Sequence, residues 1–222
     1  MIRQPKIVSE FSAQRRSHPP NPALKRVLAI LPELIRRNSL GTVADIGCGK
    51  LRHYRLLVKP AKKLLLVDTE KQLATTHHDR NESYTIPQIA KLARKTGRAV
   101  RALTVEQFRG VRNSVDVAFC IAVFDVITRE RRREITRVVA DSLKDNGYFV
   151  VIAPRNDSTI TSRCEKENRY KDGHVFAHHG LQTFFCNFEK YGSIIRDCAD
   201  AGLGLRLDLS SYRQVCLIFC SE

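Results

Sequence analysis

The chain has 222 residues, 43% of them hydrophobic, which is enough apolar material for one α/β domain with a buried core. Lysine and arginine outnumber aspartate and glutamate by 38 to 23, and the net charge of +15 favours an anionic partner such as nucleic acid, although a merely basic surface explains it equally well. No apolar run approaches the ~20 residues that cross a bilayer, and the N-terminus lacks a secretory signal, so we expect a cytoplasmic protein without membrane association.

Residues 1–22 are polar and basic, and we expect them to form a flexible arm ahead of a folded domain at 23–222. Asn21 and Pro22 suit the start of a helix, because asparagine caps the first amides and proline is tolerated in the first turn. Pro32 is expected to kink or split this helix. Nucleic acid, if it is a partner, is expected to contact the basic residues of this region: Arg15, Arg16, Lys25, Arg26, Arg36 and Arg37.

The segment 43–50 contains the main motif of the chain. Residues 43–46 predict a short buried strand, and Gly47 and Gly49 then open a tight turn in which a ligand can approach the main chain. The run from Leu51 to Val58 can form a helix whose first amide groups point back at this turn. A strand, a glycine turn and a helix start together form a place to hold a polar small molecule.

A second apolar strand at residues 64–67 ends at Asp68, which lies 21 residues after Gly47. Nucleotide-binding α/β folds place a carboxylate that holds ribose hydroxyls about 20 residues after the glycine turn. The pattern then predicts a polar helix from Glu70 to about His77, and a further helix that begins at Thr85. A third strand is expected at 99–103.

The fourth strand is predicted at 115–121, where continuous apolar residues are typical of a strand buried on both faces of a parallel sheet. Thr128 can cap a helix that continues to Leu143, with Gly147 ending it before a fifth strand at 148–152. We expect this helix to expose a face of arginines: Arg129, Arg131, Arg132, Arg133 and Arg137.

The regular pattern breaks at 155–186, where polar residues, aromatic residues and histidines mix. An insertion after the fifth strand should lie over the ligand edge of the sheet, because open α/β sheets bind ligands at the carboxyl ends of their strands. A last helix at 188–201 and two apolar runs at 203–209 and 214–219 predict a closing hairpin.

Three stretches together resemble the class I S-adenosylmethionine-dependent methyltransferases. They are VADIGCG at 43–49, LLLVDTE at 64–70, and DVAFCIAVFDVI at 116–127 running on to LKDNGYFVVIAP at 143–154. With the tail, the resemblance covers roughly residues 40–222. It implies an α/β fold: a single Rossmann-like methyltransferase domain whose mostly parallel seven-stranded sheet has helices on both faces and a closing antiparallel hairpin.

The resemblance also implies a set of residues that bind S-adenosylmethionine. The glycine turn passes beneath the methionyl end of the cofactor, Asp45 orients that end, and Asp68 takes the ribose hydroxyls. The family often places an acidic residue after the third strand, beside the adenine; here Glu106 comes slightly late and is the candidate. The implied set is Asp45, Gly47, Cys48, Gly49, Asp68, Thr69, Glu106 and Ile121.

The methyl acceptor stays open between a small molecule and RNA. Residues 120–125, CIAVFD, stand where amino methyltransferases of nucleic acids carry an Asn/Asp-Pro-Pro-Tyr/Phe segment, which argues against that type. A general base is needed if the nucleophile is a hydroxyl or a protonated nitrogen. Asp125, His178 and His179 are the catalytic candidates, because their segments should face the pocket.

Two other functions compete with this interpretation. A nicotinamide-dependent oxidoreductase would need a third glycine in the turn, where the chain has Arg52. A protein that retains the methyltransferase fold and binds a cofactor or nucleic acid without catalysis is the other alternative.

The seven cysteines include no Cys-x-x-Cys pair, and we expect reduced, buried thiols and no metal. Zinc held by Cys164, His174, one of His178 and His179, and Cys186 is the alternative, although their spacing matches no compact zinc site.

Overall fold

The computed structural model describes residues 21–36, 39–79, 82–155, 169–170, 172–178, 181–186, 188 and 190–221. Its main sheet has seven strands in the order β11-β12-β7-β6-β1-β2-β5. They are β1 (Thr42–Ile46), β2 (Lys63–Asp68), β5 (Ala99–Thr104), β6 (Val115–Ile121), β7 (Leu143–Pro154), β11 (Leu203–Asp208) and β12 (Gln214–Ser221).

Strands β5, β2, β1, β6 and β7 run parallel; β12 pairs antiparallel with β7, and β11 pairs antiparallel with β12 at the edge of the sheet. The predicted fold class is therefore confirmed, including the closing hairpin. Two small antiparallel sheets accompany the main one. The first pairs β3 (His77–Asp79) with β4 (Glu82–Tyr84), and the second joins β8 (Arg169–Tyr170), β9 (Gly173–His178) and β10 (Leu181–Phe185).

Seven α-helices connect the strands in the described part of the chain. They are α1 (Pro22–Leu34), α2 (Tyr54–Leu57), α3 (Glu70–Ala74), α4 (Ile86–Lys95), α5 (Val105–Arg109), α6 (Arg129–Ser142) and α7 (Gly192–Ala199). A single 3₁₀ turn, Phe124–Val126, lies between β6 and α6. None of these helices is long and apolar enough to cross a membrane.

The central strands are continuously apolar, as is typical of a sheet that is covered on both faces. Residues of β1, β6 and β7 alternate between two apolar clusters, so that Val117 and Phe119 face one side and Ala118 and Cys120 face the other. Helices α1 and α4 pack against the first cluster, and α7 packs against the second. Burial on both faces explains why these strands are continuously apolar.

The predicted start of α1 is confirmed, since the Asn21 side chain accepts a hydrogen bond from the amide of Ala23 at 2.9 Å. The predicted split at Pro32 is wrong. Pro32 lies in the last turn, where its missing amide removes one helical hydrogen bond, and Ile35 still donates to the carbonyl of Leu31.

Three predicted helices are shorter than expected. Leu51 has a positive φ of 62°, which delays α2 to Tyr54. Helix α3 ends at Ala74, and the chain turns back so that His77 is buried in the β3–β4 hairpin instead of ending a helix. The last helix spans only Gly192–Ala199.

The helix before the fifth strand ends within one residue of the predicted Leu143, but the role predicted for Gly147 is wrong. Helix α6 ends at Ser142, and β7 already begins at Leu143, so Gly147 lies inside the strand. An added Cβ at residue 147 would come within 2.8 Å of the Lys144 carbonyl oxygen, which explains a glycine at this point.

Candidate functional site

The glycine turn lies at the carboxyl ends of β1 and β2. The amides of Gly47 and Cys48 both donate to the carbonyl of Val67, at 2.8 and 3.1 Å, so the turn is tied directly to the neighbouring strand. Gly47 and Gly49 have φ values of 71° and 52°, in the left-handed region where only glycine is free of strain.

Val123 packs against Gly47, and the sequence did not indicate this contact. A Cβ added at residue 47 would collide with the Val123 side chain. The space left by the missing side chain is therefore taken by the segment after β6. A ligand of the turn can approach its main chain only from another side.

Asp68 braces the turn from β2. Its Oδ2 accepts a hydrogen bond from the Gly49 amide at 2.7 Å, and its Oδ1 accepts one from the Thr69 amide at 2.8 Å. A carboxylate has about four acceptor positions, and these two bonds occupy one position on each oxygen. The N-cap of α3 is Thr69, whose hydroxyl accepts from the Gln72 amide at 3.2 Å.

Asp45 is a buried carboxylate at the end of β1. Its residue is 2% exposed, and its Oδ2 has no hydrogen-bond partner among the described residues. Burial, and secondly the charge of Asp68, raises the pKa of Asp45 to about 7. A buried carboxylate without a partner is costly, and a cationic group beside it would remove that cost.

The other predicted cofactor residues lie around this edge with different exposure. Cys48 is buried, and burial raises the pKa of its thiol well above the usual value, so it is no nucleophile. Ile121 is the buried last residue of β6. Glu106 is exposed in the first turn of α5, and Thr104, opposite Asp68 in the sheet, caps that helix.

Asp125 lies in the 3₁₀ turn after β6, on the same edge of the sheet, and is 3% exposed. Its carbonyl oxygen accepts a hydrogen bond from the Cys186 amide at 2.7 Å. The Cys186 thiol in turn donates to the carbonyl of Asp172 at 3.2 Å. The described end of the segment 155–186 is thus attached to the turn that carries Asp125.

Arg132 makes this attachment, and the prediction that it lies on an exposed face is wrong. It is 2% exposed, and its guanidinium donates to the carbonyls of Phe124 and Ile127 at 3.0 and 2.7 Å and forms an ion pair with Asp172. It also lies 5.2 Å from the ring centroid of Phe188. Its ion-pair partner Asp172 is 40 residues away, so helical spacing alone could not reveal that Arg132 is buried.

Two other arginines of α6 are also paired. Arg129 and Arg133 share the buried Asp197 of α7, with closest N–O distances of 2.8 Å, and they hold its pKa below the usual value against the opposing effect of burial. Arg131 pairs with Glu134. Much of the predicted basic face of α6 is therefore neutralised within the fold.

The predicted catalytic histidines are only partly placed. The backbone of His178 ends β9, and His179 lies outside the described residues. His174 lies in β9 opposite Phe185 of β10. Among the described residues no three metal-ligating side chains come together, and Cys164 of the zinc alternative lies outside them.

The β3–β4 hairpin closes the side of the glycine turn, which the sequence did not predict. The Tyr84 hydroxyl donates to the carbonyl of Lys50 at 2.9 Å, and the ring of His77 lies 5.7 Å from the ring of Tyr84. His77 Nε2 is 3.2 Å from the carbonyl oxygen of Gln72. The hairpin therefore ties the exit of the turn to α3.

Comparisons with known proteins agree with this geometry. Residues 44–151 match the family model described as "Methyltransferase domain". No curated protein matches the chain in sequence.

Among solved structures, the chain is similar to the 1,6-didemethyltoxoflavin-N1-methyltransferase of Burkholderia thailandensis, solved with bound 1,6-didemethyltoxoflavin and S-adenosylhomocysteine. That similarity has 14% identity and a TM-score of 0.60, and covers 90% of this chain and 78% of that one. An S-adenosylmethionine-dependent methyltransferase of Methanosarcina mazei matches with 13% identity, a TM-score of 0.63, and 92% and 99% coverage. The magnesium protoporphyrin IX methyltransferase of Synechocystis PCC 6803, with bound S-adenosylhomocysteine, matches with 15% identity, a TM-score of 0.57, and 90% and 84% coverage.

Identities this low establish the fold alone, whereas the family model identifies the segment that contains the glycine turn, Asp68 and the 3₁₀ turn. The chain has a Rossmann-like methyltransferase fold, and its residues 44–151 match the methyltransferase-domain family model.

Proposed function

We propose that the chain is an S-adenosylmethionine-dependent methyltransferase that binds its cofactor at the glycine turn. The observation that carries this proposal is Asp45, a buried carboxylate whose Oδ2 has no partner in the described part of the chain. The methionyl end of S-adenosylmethionine carries an ammonium group, which is the kind of partner that this oxygen needs.

The remaining residues of the turn fit the same ligand. Asp68 is the proposed partner of the ribose hydroxyls, because its carboxylate lies at the end of β2 and holds the Gly49 amide of the turn. Gly47, Cys48 and Gly49 supply main chain to the methionyl end, and Thr69, Glu106 and Ile121 are the proposed contacts along the rest of the cofactor.

The chemistry asks mainly for positioning. When bound, the cofactor supplies a methyl group already activated on a sulfonium. The residues of the chain then have to orient the acceptor and exclude water. Asp125 is the proposed base for an acceptor that must lose a proton, because its carboxyl group is buried on the turn that ends β6. His178 and His179 remain candidates for the same role.

The acceptor is proposed to bind between this turn and the second small sheet. Phe184, Phe185 and Cys186 are buried where β10 meets the 3₁₀ turn, so this wall is apolar. Two of the similar structures are methyltransferases named for a toxoflavin precursor and for a porphyrin. A small aromatic molecule is thus the first acceptor class to test, with RNA as the second.

Cofactor binding tests the proposal directly. S-adenosylhomocysteine should stabilise the protein by about 2.7 kcal/mol at a hundredfold excess over Kd, and NAD should not stabilise it. Asp68→Ala should weaken S-adenosylhomocysteine binding by on the order of 1–3 kcal/mol, because charged hydrogen bonds to the ribose are lost. Thermal shift and calorimetry measure both effects.

Asp208→Ala is the control, because Asp208 is an exposed carboxylate that ends β11 at the far edge of the sheet. Unchanged affinity in Asp68→Ala would contradict the site. Transfer of a labelled methyl group to candidate acceptors separates an enzyme from a binding protein. Tight cofactor binding without any transfer would favour the non-catalytic alternative.

A further inference from the structure

Two stretches of the chain contain many cations and no carboxylate. Residues 50–63 hold six lysines and arginines, and residues 83–105 hold five, without a single aspartate or glutamate in either stretch. In the first stretch they are Lys50, Arg52, Arg55, Lys59, Lys62 and Lys63; in the second they are Lys91, Arg94, Lys95, Arg98 and Arg101.

The parallel pairing of β2 with β5 brings these two stretches together. Lys63 lies opposite Ala99, and Leu65 lies opposite Arg101, so the first residues of β2 stand beside the first residues of β5. Helix α4 ends at Lys95, two residues before the turn that leads into β5. We call the residues that meet here the basic corner: Lys62, Lys63, Lys95, Arg98 and Arg101.

The basic corner is open to solvent. Lys62, Lys95, Arg98 and Arg101 are exposed, and Lys63 is partly exposed. Strand β5 is the last strand of the sheet, so no further strand covers it. A Cβ added at Gly97 would meet nothing within 4 Å, which shows that the turn between α4 and β5 is equally uncovered.

The charges of the basic corner are not neutralised within the described part of the chain. None of its five residues forms an ion pair there, whereas Arg129, Arg132 and Arg133 of α6 all do. Five cations without an ion pair in the described part of the chain therefore lie where β2 and β5 begin.

We propose that the basic corner binds the phosphate backbone of double-stranded or structured nucleic acid. Six residues of β5 extend about 20 Å, a length over which a duplex presents roughly a dozen phosphate charges. Neutralising them releases counterions, which is the main source of affinity in sequence-independent binding.

The side chains around the corner argue against other anionic partners. Single-stranded nucleic acid is held largely by bases stacked on exposed aromatic rings. The one exposed large aromatic of the described chain is Tyr212, between the strands of the opposite edge. Membrane binding needs an apolar face, and here Leu92 is the one exposed large apolar side chain of α4 and β5.

The corner also lies away from the glycine turn. It occupies the amino ends of β2 and β5, and Asp68 and Thr104 lie at their carboxyl ends. Nucleic acid held at the corner leaves the glycine turn open, so this inference stands independently of the proposed methyl transfer.

Fluorescence anisotropy with a labelled 20-base-pair duplex of mixed sequence, in DNA and RNA forms, tests the proposal between 50 and 200 mM NaCl. With four to five phosphates neutralised, the affinity of the full chain should fall roughly 250-fold over this range. The variant Lys62→Gln, Lys95→Gln, Arg98→Gln and Arg101→Gln should lower the slope of log affinity against log salt by about three to four.

The matched control is Lys190→Gln, Arg196→Gln, Arg206→Gln and Arg213→Gln, which removes four exposed cations near the opposite edge of the sheet. It changes the net charge by the same amount and should change the slope by less than one. Circular dichroism and thermal melting test whether both variants are folded. If the fourfold corner variant is not folded, the single substitution Arg101→Glu takes its place.

Four results would overturn the proposal. They are the absence of duplex binding at 50 mM NaCl, an equal loss in the two variants, much tighter binding of a single strand than of the duplex, and binding of phosphatidylserine vesicles without binding of the duplex.

Discussion

At the scale of single residues, the glycine turn depends on side chains that lie close to it without forming part of it. Val123 takes the space that a side chain at Gly47 would fill, and Asp68 accepts the amide of Gly49. Asp45, just before the turn in β1, has one carboxylate oxygen without a partner among the described residues. The turn is thus rigid before a ligand arrives, and its buried carboxylate is unfavourable until one does.

Burial of the ionised Asp45 carboxylate is unfavourable, and this should appear in the pH dependence of the free energy of unfolding. Its pKa is raised to about 7, so between about pH 4 and 7 the folded protein holds a proton that the unfolded chain has lost. This residue therefore destabilises the fold as pH rises, by up to about 1.4 kcal/mol per pH unit, until pH 7. The free energy of unfolding of Asp45→Asn minus that of the wild type should increase over this range and then level off.

This difference between proteins is the quantity to measure, by urea denaturation without cofactor at several pH values. His53 and His77, whose pKa values are lowered mainly by burial, act in the opposite direction and are common to both proteins. A constant difference from pH 4 to 7 would show that Asp45 is ionised throughout. Calorimetry should also find that S-adenosylhomocysteine binds the wild type more tightly as pH rises from 5.5 to 7, and that Asp45→Asn lacks this change.

At the scale of secondary-structure elements, α6 connects the turn after β6 with the second small sheet. Arg132 reaches the carbonyls of the 3₁₀ turn and the carboxylate of Asp172, and the Cys186 amide bonds to Asp125. The polar surface of α6 is thus buried at Arg132, where it links the 3₁₀ turn to the second small sheet. Arg132 is the buried partner of the Arg132–Asp172 pair, so its charge would be poorly solvated without Asp172.

Replacing Arg132 should weaken the link between the 3₁₀ turn and the second small sheet and leave the glycine turn unchanged. Arg132→Met should destabilise the protein by on the order of 1–3 kcal/mol for each of the two carbonyl groups, of Phe124 and Ile127, that lose their donor. Hydrogen exchange should accelerate at residues 124–127 and 172–186, and S-adenosylhomocysteine affinity should stay within about twofold.

Arg131→Met is the control. Arg131 precedes Arg132 on α6, but its ion pair with Glu134 is exposed to solvent, so this substitution should lower the free energy of unfolding by less than about 1 kcal/mol. Equal effects of the two substitutions, measured by denaturation and mass-spectrometric hydrogen exchange, would rule out a special role for Arg132.

At the scale of the whole molecule, nucleic-acid binding should depend more on where the positive charges lie than on their total number. Four of the five arginines of α6 form ion pairs in the described part of the chain, whereas the basic corner remains exposed. The sequence also predicted phosphate contacts from the N-terminal arm. Arg15, Arg16 and Arg37 of that prediction lie outside the described residues, and Lys25 and Arg26 are exposed on α1.

Removing residues 1–20 separates the two surfaces. If Arg15 and Arg16 both contact phosphates, this deletion should lower the salt slope of duplex binding by about two, in addition to the effect of the corner variant. Anisotropy titrations of the shortened chain, with and without the four corner substitutions, measure whether the effects add. If the deletion leaves the salt slope unchanged, the N-terminal arm makes no phosphate contacts, and of these two surfaces the basic corner alone binds the duplex.

Local pattern determined the framework of this protein. Continuous apolar runs marked the strands around Ala44, Leu65 and Phe119, and the spacing from Gly47 to Asp68 identified the ligand edge, because both depend on residues near each other in sequence. Tertiary structure alone decided that Val123 fills the space at Gly47, that Arg132 is buried, and that Lys63 lies beside Ala99. Each of these arises between segments about 35 to 75 residues apart, where burial and pairing depend on how strands and helices pack and not on the periodicity of either segment.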